Sequence, residues 1–167
     1  MEIKVKKFHA DLPNLEMLEK GDFIDLFVDT ALVSGNDKNT IGTTQERRSL
    51  GRTPTDLIRY KAGDVVIIGL GVAIELPDNC EAQLRPRSST FKNTGLLLTN
   101  SVGTIDSSFR GDNDEWQAMF YATRDGFFKR FDRLVQFKVE EKMQKPNVVY
   151  VSTLNNPNRG SYGTSGN

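Results

Sequence analysis

Two clusters of residues carry types and spacing suited to chemistry. The first is Arg85-Pro86-Arg87-Ser88-Ser89, two guanidinium groups beside consecutive hydroxyls where a strand gives way to a short helix. Ser88 or Ser89 can cap that helix, and arginine adds paired donors for an anion. The same residues also make an ordinary capped surface turn. The second cluster begins with Asn100-Ser101-Val102, a turn between Leu96-Leu97-Leu98-Thr99 and Gly103-Thr104-Ile105. A hairpin there presents backbone donors and acceptors to the edge of a base. Asp106 follows an apolar run and can bond a sugar hydroxyl and orient a water. Phe109 fits either a sugar face or the core. Together the two clusters suit the two halves of a nucleotide.

Positioning such groups requires a scaffold, and the apolar pattern supplies strands. Alternating or short apolar runs at 3–8, 23–28, 65–68, 71–76, 81–84, 96–99, 116–122, 134–139 and 148–151 predict strands. Lys61-Ala62-Gly63-Asp64 and Pro77-Asp78-Asn79 supply turns. This spacing predicts an all-β sandwich, jelly roll or barrel with one or two short helices, at 12–18 and 89–93. Residues 34–59 are polar and carry Arg47, Arg48, Arg52 and Arg59, reading as a surface excursion or a partner-docking insertion. Residues 1–154 then form one β domain and 155–167 a mobile arm.

Bulk properties narrow the function. Lys+Arg and Asp+Glu both number 22 in 167 residues, so the formal net charge is zero. General attraction to nucleic acid or a membrane surface is not expected, and an anion must be held by local clustering of arginines. Cys80 is alone and has no metal-ligand spacing, which suits a reducing cytoplasm and a packed role. His9 lacks a Ser or Cys partner pattern and reads as structural. Trp116 reads as core, with its backbone facing a base as the lesser reading. Arg110 reads as directed toward a neighbouring subunit.

The combination resembles the trimeric dUTPase family over nearly the whole chain. Asp25-Leu26 within Gly21 to Leu26 is similar to the first family motif, with a departure in spacing at Asp22-Phe23-Ile24. Pro86-Arg87-Ser88-Ser89 is similar to the second, with Ser89 where many members carry Gly. Gly103-Thr104-Ile105-Asp106-Ser107-Ser108-Phe109-Arg110-Gly111 is the strongest match, with Phe109 for the usual Tyr. Arg133-Leu134-Val135-Gln136 resembles the fourth motif, and Arg159 to Gly166 a shortened fifth. The short tail and Asp112-Asn113-Asp114 look like the bacterial and phage branch related to Bacillus-type enzymes.

The resemblance implies a β-clip jelly roll in a homotrimer with sites shared between chains. It implies hydrolysis of dUTP to dUMP and pyrophosphate, with Mg2+ held by the triphosphate and waters and with Asp25 in the outer shell. Asp106 would activate the water and bond the 3′-hydroxyl, Gln136 would help fix the water, and Arg87, Ser88 and Ser89 would grip phosphates. Arg133 would support phosphate or interface contacts. Asn100, Gly103, Thr104 and Ile105 would read uracil, and Phe109 would pack under the deoxyribose. Arg159 would reach the terminal phosphate, with Tyr162 and Gly163 in a lid over the base. Two alternatives stand beside this: a dCTP deaminase of the same fold, with Glu115 as its candidate base, and a phage-type enzyme that also binds a repressor through about 34–60.

Overall fold

A computed structural model describes residues 1–17, 19–34, 57–158 and 160. Among the described residues the chain forms β1 (Lys4–Lys7), β2 (Ile24–Leu26), β3 (Thr30–Ser34), β4 (Leu57–Tyr60), β5 (Val65–Gly69) and β6 (Val72–Glu75). It continues with β7 (Cys80–Pro86), α1 (Thr90–Thr94), β8 (Leu96–Leu98), β9 (Gly103–Asp106), β10 (Gln117–Ala122), β11 (Gly126–Lys129) and β12 (Val135–Glu141). The all-β expectation holds, and α1 is its one helix among these residues.

Two four-stranded antiparallel sheets carry the fold, in the orders β3-β5-β10-β8 and β2-β12-β7-β9. Period-two alternation explains each of them: Val66, Ile68, Ala118 and Phe120 turn inward from the first, and Ala82, Leu84, Val135 and Phe137 from the second. Those side chains join Trp116 and Phe128 in one core, where each buried large side chain contributes about 1.5–3 kcal/mol. Two-stranded ribbons, β1-β6 and β11-β4, close the sides.

Three expectations are corrected. Residues 12–17 are not helical; Leu12 is buried, Leu15 packs against the core part-buried, and Met17 makes an isolated bridge to Ile24. Residues 148–151 form no strand, because no edge among the described residues pairs with them; Val148, Val149, Tyr150 and Val151 are all exposed. The 34–59 excursion is bounded by strand at both ends, Ser34 ending β3 and Leu57 opening β4. The rest of that excursion, and the predicted helix's Leu18, lie outside the described residues.

The outer face of the first sheet is apolar as well. Register aligns Leu32, Ile67 and Met119 in one row, and Leu97 and Tyr121 with Val65 in the next. Leu97, Met119 and Tyr121 are exposed.

Candidate functional site

The arginine cluster is organised by the second sheet. Asp25 on β2 faces Gln136 on β12, which faces Arg85 on β7, so the three side chains share one row on the outward face. Arg87 Nε lies 2.8 Å from Asp25 Oδ1, and Arg133 Nη1 lies 3.1 Å from Oδ2. Gln136 Nε2 donates to the Pro86 carbonyl at 3.4 Å. The Arg85 guanidinium sits 6.0 Å from the Phe23 ring and donates from Nη2 to Gln83 Oε1 at 2.5 Å. Two arginines therefore flank the Asp25 carboxylate and a third, Arg85, stands two strands away in the same row, a local positive corner on a neutral chain.

The turn after β7 is anchored rather than loose. The Arg87 amide and the Thr90 hydroxyl both donate to the Leu134 carbonyl, at 3.2 and 2.7 Å. Ser88 is exposed beside them. Ser89 occupies the N-cap position without a side-chain capping bond, so the capping expectation is corrected: Thr90's bond to Leu134 seats the turn, leaving both hydroxyls uncommitted to the helix.

The nucleoside half is built differently from the expected hairpin. β8 pairs with β10 and β9 pairs with β7, so Asn100-Ser101-Val102 crosses from one sheet to the other. Ser101 takes φ 58°, and a Cβ on Gly103 would come within 3.2 Å of Leu84 Cβ, which keeps that crossing tight. Among the described residues β9 is consequently an edge strand, with one backbone edge unpaired by them. β8 reaches only Phe120, so the Gln117 end of β10 lies beyond that pairing. Between these edges opens a hollow of about 450 Å³ lined by Thr104, Ile105, Asp106, Phe109, Glu115, Trp116 and Gln117.

Phe109 lines this hollow at 42 % exposure, which removes the core alternative. Asp106 Oδ1 accepts the Ser108 amide at 2.7 Å and the Ser108 hydroxyl. These bonds, the hydroxyl first, hold the Asp106 carboxyl below the ordinary aspartate value. Asp106 is thus ionised, fixed in direction and open to solvent. Asn100 and Gly103 do not line the hollow.

Other expectations resolve simply. Trp116 is fully buried, edge-on to Phe137 at 5.1 Å, and its amide donates to the Val72 carbonyl at 2.8 Å, so that N–H is not offered to a base. Glu115 Oε1 accepts the Gly71 amide at 3.1 Å. Arg110 pairs with Asp78 of its own chain at 2.5 Å. Cys80 is buried. Arg159, Tyr162 and Gly163 lie outside the described residues.

The two halves are far apart within one chain. Asp106 aligns with Glu81, four residues along β7 from Arg85, and Asp25 lies three strands from β9. At about 3.4 Å per residue and about 4.8 Å per strand, Asp106 and Asp25 are roughly 20 Å apart.

A second ion-pair cluster was not legible in the sequence. Arg130 and Asp29 are buried and joined by Nη2–Oδ1 at 2.7 Å and Nε–Oδ1 at 3.1 Å. Arg130 also grips Asp11 through two bonds, 2.6 and 3.0 Å, and His9 Nδ1 lies 2.5 Å from Asp29 Oδ2. His9 is therefore structural, as expected. An isolated Asp and Arg separated by 101 positions leave no local signal.

Comparison with known proteins places these features in context. Residues 53–166 match a family model described as dUTPase. The chain is 36% identical over 166 residues, 99% of each chain, to the SPbeta prophage-derived deoxyuridine 5′-triphosphate nucleotidohydrolase of Bacillus subtilis. Among solved structures, a Staphylococcus bacteriophage 80alpha dUTPase with dUpNHpp aligns with TM-score 0.68 at 14% identity, covering 99% of this chain and 98% of that one. The dUTPase of phage phi11 of S. aureus aligns with TM-score 0.66 at 12% identity, covering 92% and 99%; its structure concerns a structural Mg(II) ion.

Proposed function

The chain belongs to the dUTPase family, and from that premise we propose that it hydrolyses dUTP to dUMP and pyrophosphate in sites shared by the chains of a homotrimer. The observation that carries this reading is the hollow at the β9 edge. It offers a backbone edge that no described residue pairs with, a ring for a sugar face and an oriented carboxylate, all in contact with the same space. In the proposed mechanism Thr104 and Ile105 read uracil, with Asn100 and Gly103 shaping the turn that delivers them. Phe109 packs against deoxyribose. Asp106 bonds the 3′-hydroxyl and takes the proton of the attacking water.

The arginine corner serves the phosphates. Arg87, Ser88, Ser89 and Arg133 hold the chain of charges, and Gln136 helps place the water. Catalysis of this kind rests on positioning and charge neutralisation. Both Asp25 oxygens already face guanidinium groups, and no group of three or more His, Cys, Asp or Glu among the described residues could hold a metal. That donor set suits a Mg2+ that arrives on the triphosphate, with Asp25 acting through water. When bound, the ion neutralises developing charge on the phosphate oxygens. Arg159, with Tyr162 and Gly163 in the arm 155–167, would close the site over the terminal phosphate and base.

Sharing between chains follows from distance. A hollow and a cationic corner roughly 20 Å apart cannot hold adjacent parts of one nucleotide, whereas a neighbour's corner can approach the hollow. The apolar outer face at Leu97, Met119 and Tyr121 and the exposed run from Val148 to Leu154 suit burial against other copies.

No helix among the described residues is long and apolar enough to cross a membrane; a cytoplasmic site of action is proposed from the likeness to the prophage-derived nucleotidohydrolase. A deaminase is not favoured: the named relatives are nucleotidohydrolases, and Glu115 holds the β5–β6 turn. A regulatory partner docking through about 34–60 is a compatible second role; one phage relative's dUTPase is described as controlling transfer of virulence genes.

Turnover of dUTP beside dCTP, dTTP and UTP, with pyrophosphate, ammonia and particle mass measured together, tests the whole reading. Pyrophosphate from dUTP alone, at trimer mass, is expected; ammonia from dCTP would overturn it. Removing 155–167 should lower turnover sharply and leave the trimer intact.

A further inference from the structure

Arg130 and Phe131 stand in the turn that leads from β11 toward Arg133 and β12. Phe131 has φ 71°, the left-handed region that favours glycine and that a bulky residue rarely adopts. The turn is tied at both ends: the Phe131 amide donates to the Val28 carbonyl at 2.8 Å, and the Val28 amide donates to the Asp132 carbonyl at 2.9 Å. The Lys129 amide donates to Asp132 Oδ2 at 2.8 Å. Above the turn, the Arg130 guanidinium lies 4.4 Å from the Phe131 ring centroid and gives four hydrogen bonds, two to Asp29 and two to Asp11. Asp29 is itself closely seated, since a Cβ on Gly71 would come within 2.7 Å of it.

One buried guanidinium thus ties the loop after β2, the turn before β12 and the segment around Asp11, while covering a strained aromatic residue. The loop begins just past Asp25, and the turn ends at Arg133. We infer that Arg130 is a positioning residue for the hydrolysis. It holds the left-handed turn at Phe131, which sets Arg133, and it fixes Asp29, which sets the far end of the β2 strand bearing Asp25. It touches neither nucleotide nor water. The inference rests on the reading of the Asp25 corner as the phosphate site.

Arg130→Lys keeps a charge for Asp29 but loses the fork to Asp11 and the flat stack on Phe131. In this variant kcat for dUTP should fall about tenfold. KM should rise with the loosened phosphate grip, whereas affinity for deoxyuridine, which carries no phosphate, should stay within about twofold because the hollow at Asp106 and Phe109 is untouched. Adding Phe131→Gly, which adopts positive φ without strain, should restore most of kcat and leave Tm low. Native kcat in Arg130→Lys with a lowered Tm would mean a purely structural role and overturn the inference. A double variant no faster than the single one would overturn the route through the turn. If Arg130→Lys does not fold, Phe131→Ala reads the same link, since it keeps the left-handed demand and removes the stacked ring; native kcat there is equally fatal. Pyrophosphate binding measured by calorimetry follows the corner without turnover. It should weaken in Arg130→Lys and recover in the double variant, so failure of the positioning role stays distinct from failure of the dUTP assignment.

Discussion

Two aspartate–arginine pairs join the same two stretches of chain, and they are opposites. Asp25–Arg133 and Asp29–Arg130 both link the neighbourhood of β2 to the turn before β12. At Asp29 the side chains are 1% and 2% exposed, and at Asp25 they are 14% and 46% exposed. The first pair is enclosed, and its arginine has no freedom to do anything else. The second leaves its arginines able to turn toward an arriving anion. The same chemistry thus yields a fastening where water is shut out and, in the proposed reading, a binding surface where it is admitted. Breaking an enclosed pair costs about 3–5 kcal/mol, whereas an open one is worth about 0–1 kcal/mol.

The sharpest way to break the comparison is Asp29→Ala. It strands a buried guanidinium and should cost about 3–5 kcal/mol in urea unfolding. A loss under about 1 kcal/mol would mean that the pair is not enclosed in solution. Asp25→Asn should do the reverse: stability within about 1 kcal/mol, and turnover down roughly 100-fold, equivalent to about 2.7 kcal/mol in the transition state. Equal effects of the two substitutions on stability would erase the distinction.

Acid should separate the regions more gently. Ser108 holds Asp106 below the 3.8 of an ordinary aspartate, so the acid limb of turnover set by Asp106 falls below about pH 4. Ser108→Ala should move that limb upward. Asp11 is also depressed, first by its hydrogen bond from Arg130. A carboxyl lowered on folding contributes stability above its unfolded value and loses it as pH falls through the folded one. Tm should therefore be insensitive to this group above about pH 5 and decline below about pH 4. The smallest effect is that of salt. Raising ionic strength from about 0.05 to about 0.5 M should weaken substrate binding at the open corner several-fold while leaving the contribution of Asp29–Arg130 unchanged.

This contrast also explains what could be read in the sequence. Strands such as β5 and β10 declare themselves because every second residue is buried. β4 and β11 do not, since each is only four residues long, Arg59 interrupting one and Lys129 ending the other. Val148-Val149-Tyr150-Val151 has strand composition and no strand, because propensity without a pairing edge leaves the backbone to water. Arg87, Asp106 and Phe109 were legible through short motifs, but the crossing at Asn100-Ser101-Val102 was not, because a turn does not announce which sheet receives the next strand. Ser108 had a local signal: a hydroxyl two residues after an aspartate often closes a side-chain turn. Arg130 had none; its partners are distant, and only the fold makes them neighbours.

The exposed stretch from Val148 to Leu154 has a consequence for how the enzyme would be handled. An apolar run suited to another copy ties the working unit to mass action. Activity per milligram would then be no constant of the preparation. It would sag on dilution, recover on concentration, and show a lag when a dilute stock is returned to assay strength.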